Sequence, residues 1–138
     1  MSYDALQSGA VIHYPYLWSR EAQRGETEGR KTRPSVVAIR APRPGRPDLI
    51  LLFPITSKEP EAGRFAAEIP EIEKRRAGLD HALRLWIVLD ECNEEEFPGS
   101  YYLEPDPPLG RFSKRYFLPL VLDFIKQRER VRAVRRGG

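Results

Sequence analysis

The chain has 138 residues, room for one domain of ordinary size and too few for a catalytic module with a separate regulatory one. Hydrophobic residues make up 41% and aromatics 10%, enough to bury a core, and 23 Lys and Arg against 20 Asp and Glu leave a net charge of +3, which permits a nucleic-acid partner without requiring one. One cysteine, Cys92, and two histidines, His13 and His81, exclude a disulfide framework and a structural Cys/His zinc site of usual spacing.

The first segment, MSYDALQSGAVIH, lacks a basic region followed by an apolar stretch, and the longest apolar run, Leu49 to Ile55, is too short for a membrane helix. The expectation is a soluble protein of a reducing cytoplasm, with no membrane partner. Thirteen prolines and ten glycines favour short strands joined by turns. Residues 10–16, AVIHYPY, read as a first strand. Residues 17–32 carry many charges and no period, and read as a long exposed loop of the kind that is functional or mobile. Arg33-Pro34 leads into a second strand, 35–40. The turn-rich stretch 41–48 predicts a long exposed connection to a third strand, 49–57, whose continuous apolar run predicts burial on both faces.

A short strand is expected at 65–69. Pro70, early Glu71 and Glu73, late Lys74, Arg75 and Arg76, and Gly78 as the stop predict a small helix over 70–77. Residues 83–89 read as a strand, followed by an acidic run, Asp90 to Glu96, of the kind usually solvated, and Tyr101 to Leu103 as a candidate edge strand. From Ser113, a plausible N-cap, Phe117, Leu120, Val121, Phe124 and Ile125 form an apolar stripe at helical spacing; Pro119 predicts a kink or a start near Leu118. The tail from Gln127, with Arg128, Arg130, Arg132, Arg135 and Arg136, reads as a solvated basic extension. The order predicts a mainly β fold with small α content, a half-open barrel of SH3-like type with one short helix and a C-terminal helix. It is a single domain over 1–138 with its core at about 9–126.

No phosphate-loop, dinucleotide, kinase or nucleophile-elbow pattern is present. Polar groups instead gather at strand ends: Glu28, Arg30, Lys31 and Arg33 entering the second strand, Thr56 and Ser57 leaving the third, and Asp90 and Glu91 after the fifth. If these ends converge, they offer guanidinium, hydroxyls and carboxylate without a metal. That set suits a phosphodiester: arginine binds phosphate bidentately, hydroxyls donate to non-bridging oxygens, and a carboxylate takes a proton from an attacking hydroxyl. The alternative is structural, since Arg-Pro before a strand is common and Thr-Ser often closes a turn. Trp18, Tyr14 and Tyr16 flank the loop and suit either base stacking or core packing. His13 reads as a base or, more simply, as a pocket wall; His81 as surface; Cys92 as inert.

Gly9 to Tyr14, then the block Gly29-Arg30-Lys31-Thr32-Arg33-Pro34-Ser35-Val36-Val37, then Phe53-Pro54-Ile55-Thr56-Ser57, then a strand ending in Asp90-Glu91 resembles the MazF/PemK-like toxins of bacterial toxin–antitoxin systems over about residues 9–126. The resemblance implies a homodimer of SH3-like barrels that cleaves single-stranded RNA without metal or other cofactor. The substrate's 2′-hydroxyl attacks, leaving a 2′,3′-cyclic phosphate, and a cognate antitoxin with an acidic segment holds the toxin in check. By motif, Arg33 would stabilise the phosphorane, Thr56 would hydrogen-bond the scissile phosphate and Glu28 would match the loop general base. Ser57, Asp90, Lys31, Arg30 and Trp18 would contact substrate. Val88 stands where one branch carries an arginine and Thr27 where a histidine can precede the loop acid, so those acid–base assignments do not transfer. The same fold hosts toxins that poison DNA gyrase, and a non-catalytic RNA-binding barrel is a third reading.

Overall fold

The computed structural model describes residues 6–25, 32–100, 102–103, 107–128 and 132–135. In chain order the elements are β1 (Ala10–Tyr14), α1 (Ser19–Gln23), β2 (Arg33–Arg43), β3 (Arg46–Thr56), β4 (Ala66–Glu68), α2 (Glu71–Arg76), β5 (Trp86–Val88), β6 (Glu91–Phe97), β7 (Gly110–Arg111), α3 (Lys114–Lys126) and β8 (Arg132–Arg135). The fold is mainly β: a curled, half-open barrel sheet in the order β4-β5-β3-β2-β1-β7, with β6 also on β3 and β8 on β6. All pairings are antiparallel except β6 with β8.

Alternation along the central strands covers the sheet on both sides. Val11, Val36, Ala38, Phe53 and Ile55 face one cluster, where Phe117, Val121 and Phe124 of α3 pack. Ala10, Ile12, Tyr14, Val37, Ile50 and Leu52 face a second cluster that includes Trp18 and Phe97. That explains the apolar run of β3: from Ile50 to Phe53, and again at Ile55, successive side chains enter one cluster or the other, while Leu49 at its start is only partly buried. Phe53 and Phe124 meet edge to face at 4.8 Å between ring centroids.

β3 changes partner midway. Asp48 to Leu52 pair with β6, whereas Ile55 and Thr56 pair with β5. Between Leu52↔Asn93 and Ile55↔Ile87, β3 advances three residues while its partner chain advances six, so the partner is thrown into a corner at Leu89-Asp90. Pro54 sits inside this switch, where its missing N–H costs no ladder bond to either partner.

Several elements differ from the sequence-based expectation. The connection between β2 and β3 is not a long loop: the strands pair out to Arg43↔Arg46, and Pro44-Gly45 makes the turn with Gly45 at φ 67°. A register shift near Pro42 absorbs the proline, and an Arg40–Asp48 ion pair at 2.8 Å braces the ribbon. Residues 17–32 do not begin as an exposed loop, because Leu17 and Trp18 are buried and α1 follows, with the Trp18 N–H donating to Glu21 Oε1 at 3.0 Å.

The acidic run is not solvated but forms β6, and residues 132–135 of the basic tail are not loose but pair along it as β8, with Glu91↔Arg132 and Glu94↔Arg135 in register. An otherwise bare strand edge is thereby covered. Residues 102 and 103 are not in a strand; the short strand in that region is β7, against β1.

The helix α3 starts where its cap predicts, Ser113 Oγ accepting from the Tyr116 N–H at 3.2 Å. It then runs through Pro119, which lies on the exposed side. Glu73 of α2 ties this start down, accepting from Ser113 N–H at 2.8 Å and from its hydroxyl at 2.7 Å.

Where α2 ends, backbone passes very close to β7. A Cβ on Gly78, which has φ 72°, would lie 2.3 Å from the Leu109 carbonyl oxygen. Gly78→Ala combines left-handed strain with a backbone collision and is expected to destabilise the fold by about 3 kcal/mol. Urea unfolding measures it, and a loss below about 1 kcal/mol would show that the backbones separate easily.

Candidate functional site

The site begins with the polar residues of β6. Alternate positions Glu91, Asn93 and Glu95 point to one side and are all buried. Each has a partner at the end of β1 or in the chain segment that leaves it. Glu95 accepts from the Tyr14 hydroxyl and from Ser100 Oγ. Asn93 behaves as a surrogate strand, its Oδ1 accepting from Leu17 N–H at 2.9 Å and its Nδ2 donating to Leu17 C=O at 2.7 Å. Glu91, 2% exposed, accepts from Ser19 N–H at 3.0 Å, the Tyr16 hydroxyl at 3.1 Å and Ser19 Oγ at 3.3 Å. Burial, then the Glu91 charge, pushes the Tyr16 phenol well above its ordinary range, so it stays a donor. These bonds satisfy carboxylates that would otherwise be costly to bury, and they set the path of residues 14–19.

That path delivers Trp18 to Arg33. Arg33 begins β2, across from Tyr14 on β1, and continuing the Ser35↔Pro54 register places it opposite Thr56 at the end of β3. Its guanidinium carbon lies 5.5 Å from the Trp18 ring centroid and that of Arg20 4.9 Å from the same ring. Trp18 is only 5% exposed, so its ring supports the guanidinium and offers little open face for a base to stack on. The buried Nε of Arg33 has no hydrogen-bond partner, and no carboxylate among the described residues pairs with this side chain. Thr56 Oγ1 accepts from Lys58 N–H at 3.1 Å, which leaves its O–H to donate elsewhere; Ser57 beside it is exposed.

Two clefts of about 410 Å³ each flank this pair. The first is lined by Trp18, by the cations Arg20, Lys58 and Arg64 and by the carboxylates Glu59, Glu61 and Glu91 among others, the second by His13, Leu79, Asp80, Leu83 and Leu85 among others. Arg33, Thr56 and Ser57 line both and so stand between them. A half-buried guanidinium opposite a hydroxyl, with Arg20 and Lys58 nearby, is suited to hold an anionic tetrahedral group.

Of the residues singled out from sequence, the fold therefore brings Arg33, Thr56, Ser57 and Trp18 together. Glu28, Arg30 and Lys31 lie outside the described residues. Asp90 lies at the corner after β5 but lines neither cleft: both its oxygens are gripped by Arg64, at 2.6 Å each. That fork, more than anything else, raises the Arg64 pKa. Tyr14 and Tyr16 are core residues, and His13 is an exposed wall of the second cleft.

Sequence reasoning missed Arg64, which brings a guanidinium to the wall where Val88 has none, and Glu91 as an anchor. The signal for Glu91 was its alternation with Asn93 and Glu95, a strand period in polar residues. Among the described residues no three His, Cys, Asp or Glu side chains are placed to hold a metal ion. No family model and no curated protein matches the chain.

Two outcomes are expected. Glu91→Ala removes the acceptor from Ser19, Tyr16 and Arg64 at once and should cost about 3 kcal/mol in urea unfolding; a cost under about 1 kcal/mol would mean that residues 14–19 hold their path without it. The Cys92 thiol, on the same strand, is pushed from 9.0 up to about 12 by burial, then by Glu94 and Glu91. The folded state thus binds this proton more tightly than the unfolded chain. Its contribution is whole below about pH 8 and is lost as the pH rises towards 12, so the stability gap between the parent and Cys92→Ala should narrow by about 1 kcal/mol between pH 8 and pH 10. An unchanged gap would show that the thiol titrates alike in both states.

Proposed function

We propose that the chain is a toxin-type endoribonuclease that cleaves single-stranded RNA at the Arg33–Thr56 ridge without a metal ion. The observation that carries this reading is an arginine steadied on a tryptophan, with no carboxylate partner among the described residues, directly across from a threonine hydroxyl free to donate. Together with the resemblance to MazF/PemK-like toxins, it favours phosphodiester chemistry in which the substrate supplies the nucleophile.

In this mechanism the 2′-oxygen forms a bond to the adjacent phosphorus as the bond from phosphorus to the 5′-oxygen breaks. The 2′ proton passes to a base and the departing 5′-oxygen takes one up, leaving a 2′,3′-cyclic phosphate and a 5′-hydroxyl. Arg33 carries the extra negative charge of the phosphorane, and Thr56 and Ser57 donate to its non-bridging oxygens. An arginine stays protonated, so Arg33 acts by charge and not as an acid. Glu28 takes the role of base. Arg20 and Lys58 meet neighbouring phosphates of the strand, which makes binding salt-dependent. A cognate antitoxin with an acidic segment would compete for the same cations. The reading includes a homodimer in the cytoplasm.

Incubated with single-stranded RNA in EDTA, the purified protein should release fragments ending in cyclic phosphate. Arg33→Ala should slow cleavage about 100-fold or more, as loss of a transition-state charge partner does. Thr56→Ala should have a smaller effect in the same direction. RNA left intact across varied sequences would overturn the reading, and cleaved DNA trapped on gyrase would replace it with the poison alternative.

A further inference from the structure

We propose that the second cleft is a base-selecting pocket that takes a guanine next to the phosphate held at Arg33 and Thr56. This rests on the phosphate reading above and adds the substrate preference of the same site. The ridge residues are shared by both clefts, so a nucleotide whose phosphate lies on the ridge has its base within reach of the pocket on that side.

The two clefts differ in character. The first is lined mainly by charged side chains of both signs, Arg20, Lys58 and Arg64 against Glu59, Glu61 and Glu91, and offers little apolar wall; the second has Ile55, Leu79, Leu83, Leu85 and Leu109 in its walls, as the flat faces of a base require. Leu83 is 47% exposed, yet its backbone is fixed on both sides. Its N–H donates to Asp80 C=O at 3.3 Å, and its C=O accepts from Nζ of Lys74, itself a buried residue, at 2.6 Å. An exposed leucine held this firmly is an apolar wall presented to the cleft.

Asp80 supplies the reading edge. One carboxylate oxygen accepts from Ala82 N–H at 3.0 Å, which sets the orientation of the group, and no described residue takes the other. A carboxylate only accepts, so it selects a base edge carrying neighbouring N–H donors. Guanine presents two, its ring N–H and its amino group, on one edge. His13, which lines the same cleft, is a further polar contact to the ribose or base.

The test is to digest a random-sequence RNA pool and sequence the ends. Guanine should be enriched at one fixed position beside the cut. Asp80→Asn should lower kcat/KM on guanine-bearing substrates about tenfold, mainly through KM, and relax the preference, as loss of one good base contact does. Leu83→Ala should weaken binding of all bases at that position, and both variants should unfold at the parent's urea midpoint, since both side chains are exposed.

Binding of GMP, AMP, CMP, UMP and ribose 5-phosphate, followed by amide chemical shifts, reads the pocket without cleavage. GMP should bind tightest and move Asp80 and Leu83. RNA that is cut with unchanged base preference in both variants overturns the pocket and leaves the nuclease. No cleavage and no nucleotide binding by the parent overturns the phosphate reading, and the pocket with it.

Discussion

Three buried polar side chains on one strand, Glu91, Asn93 and Glu95, fasten the segment that follows β1, and the cleft depends on that fastening. Unpaired, such groups would oppose folding; paired with the hydroxyls of Tyr14, Tyr16 and Ser19 and the backbone of Leu17, they specify one path for residues 14–19. The specificity is geometric. Hydrophobic contact would tolerate a shifted segment, but a carboxylate that must meet two N–H or O–H donors at once does not. Trp18 arrives beside Arg33 because of it.

The second constraint is the partner exchange at Pro54. A strand that kept one neighbour along its length would carry the chain after β5 straight on. Here the change from β6 to β5 opens a corner, and Arg64, from the turn before β4, reaches across to fill it with a fork to Asp90. The exchange also ends β3 at Thr56, opposite the first residue of β2. The two strand ends meet because the sheet is bent there, and a loop, free of the ladder, would not fix that meeting so closely.

How far this was legible in sequence follows from which forces were local. Runs with a strand period, the proline and glycine around α2, and the Ser113 cap all act within a few residues, and the elements they predict are present. The convergence of Arg33 with Thr56 was legible only as two motifs in order, since nothing local says that two strand ends lie opposite each other. The acidic run misled because charge was read as solvation. Its burial depends on tyrosines some 75 or more residues away in the chain, which no window sees. The basic tail misled for the matching reason, as a short stretch of chain pairs as a strand only when an open strand edge, here that of β6, lies nearby.

The arginines divide by how they are satisfied, and the division sharpens the site. Arg40, Arg43, Arg64 and Arg84 each meet carboxylates, at 2.8 Å for Arg40 with Asp48 and 2.9 Å for Arg84 with Glu68. Their charges are met by carboxylates within the fold. Arg33 meets an aromatic ring instead, which positions a cation without neutralising it. Arg20 on the same ring and Lys58 at the rim bring two more cations beside the hydroxyls of Thr56 and Ser57, while Glu59, Glu61 and Glu91 line the same cleft. An anion is therefore favoured at the ridge itself, where it meets a guanidinium that no described carboxylate has claimed.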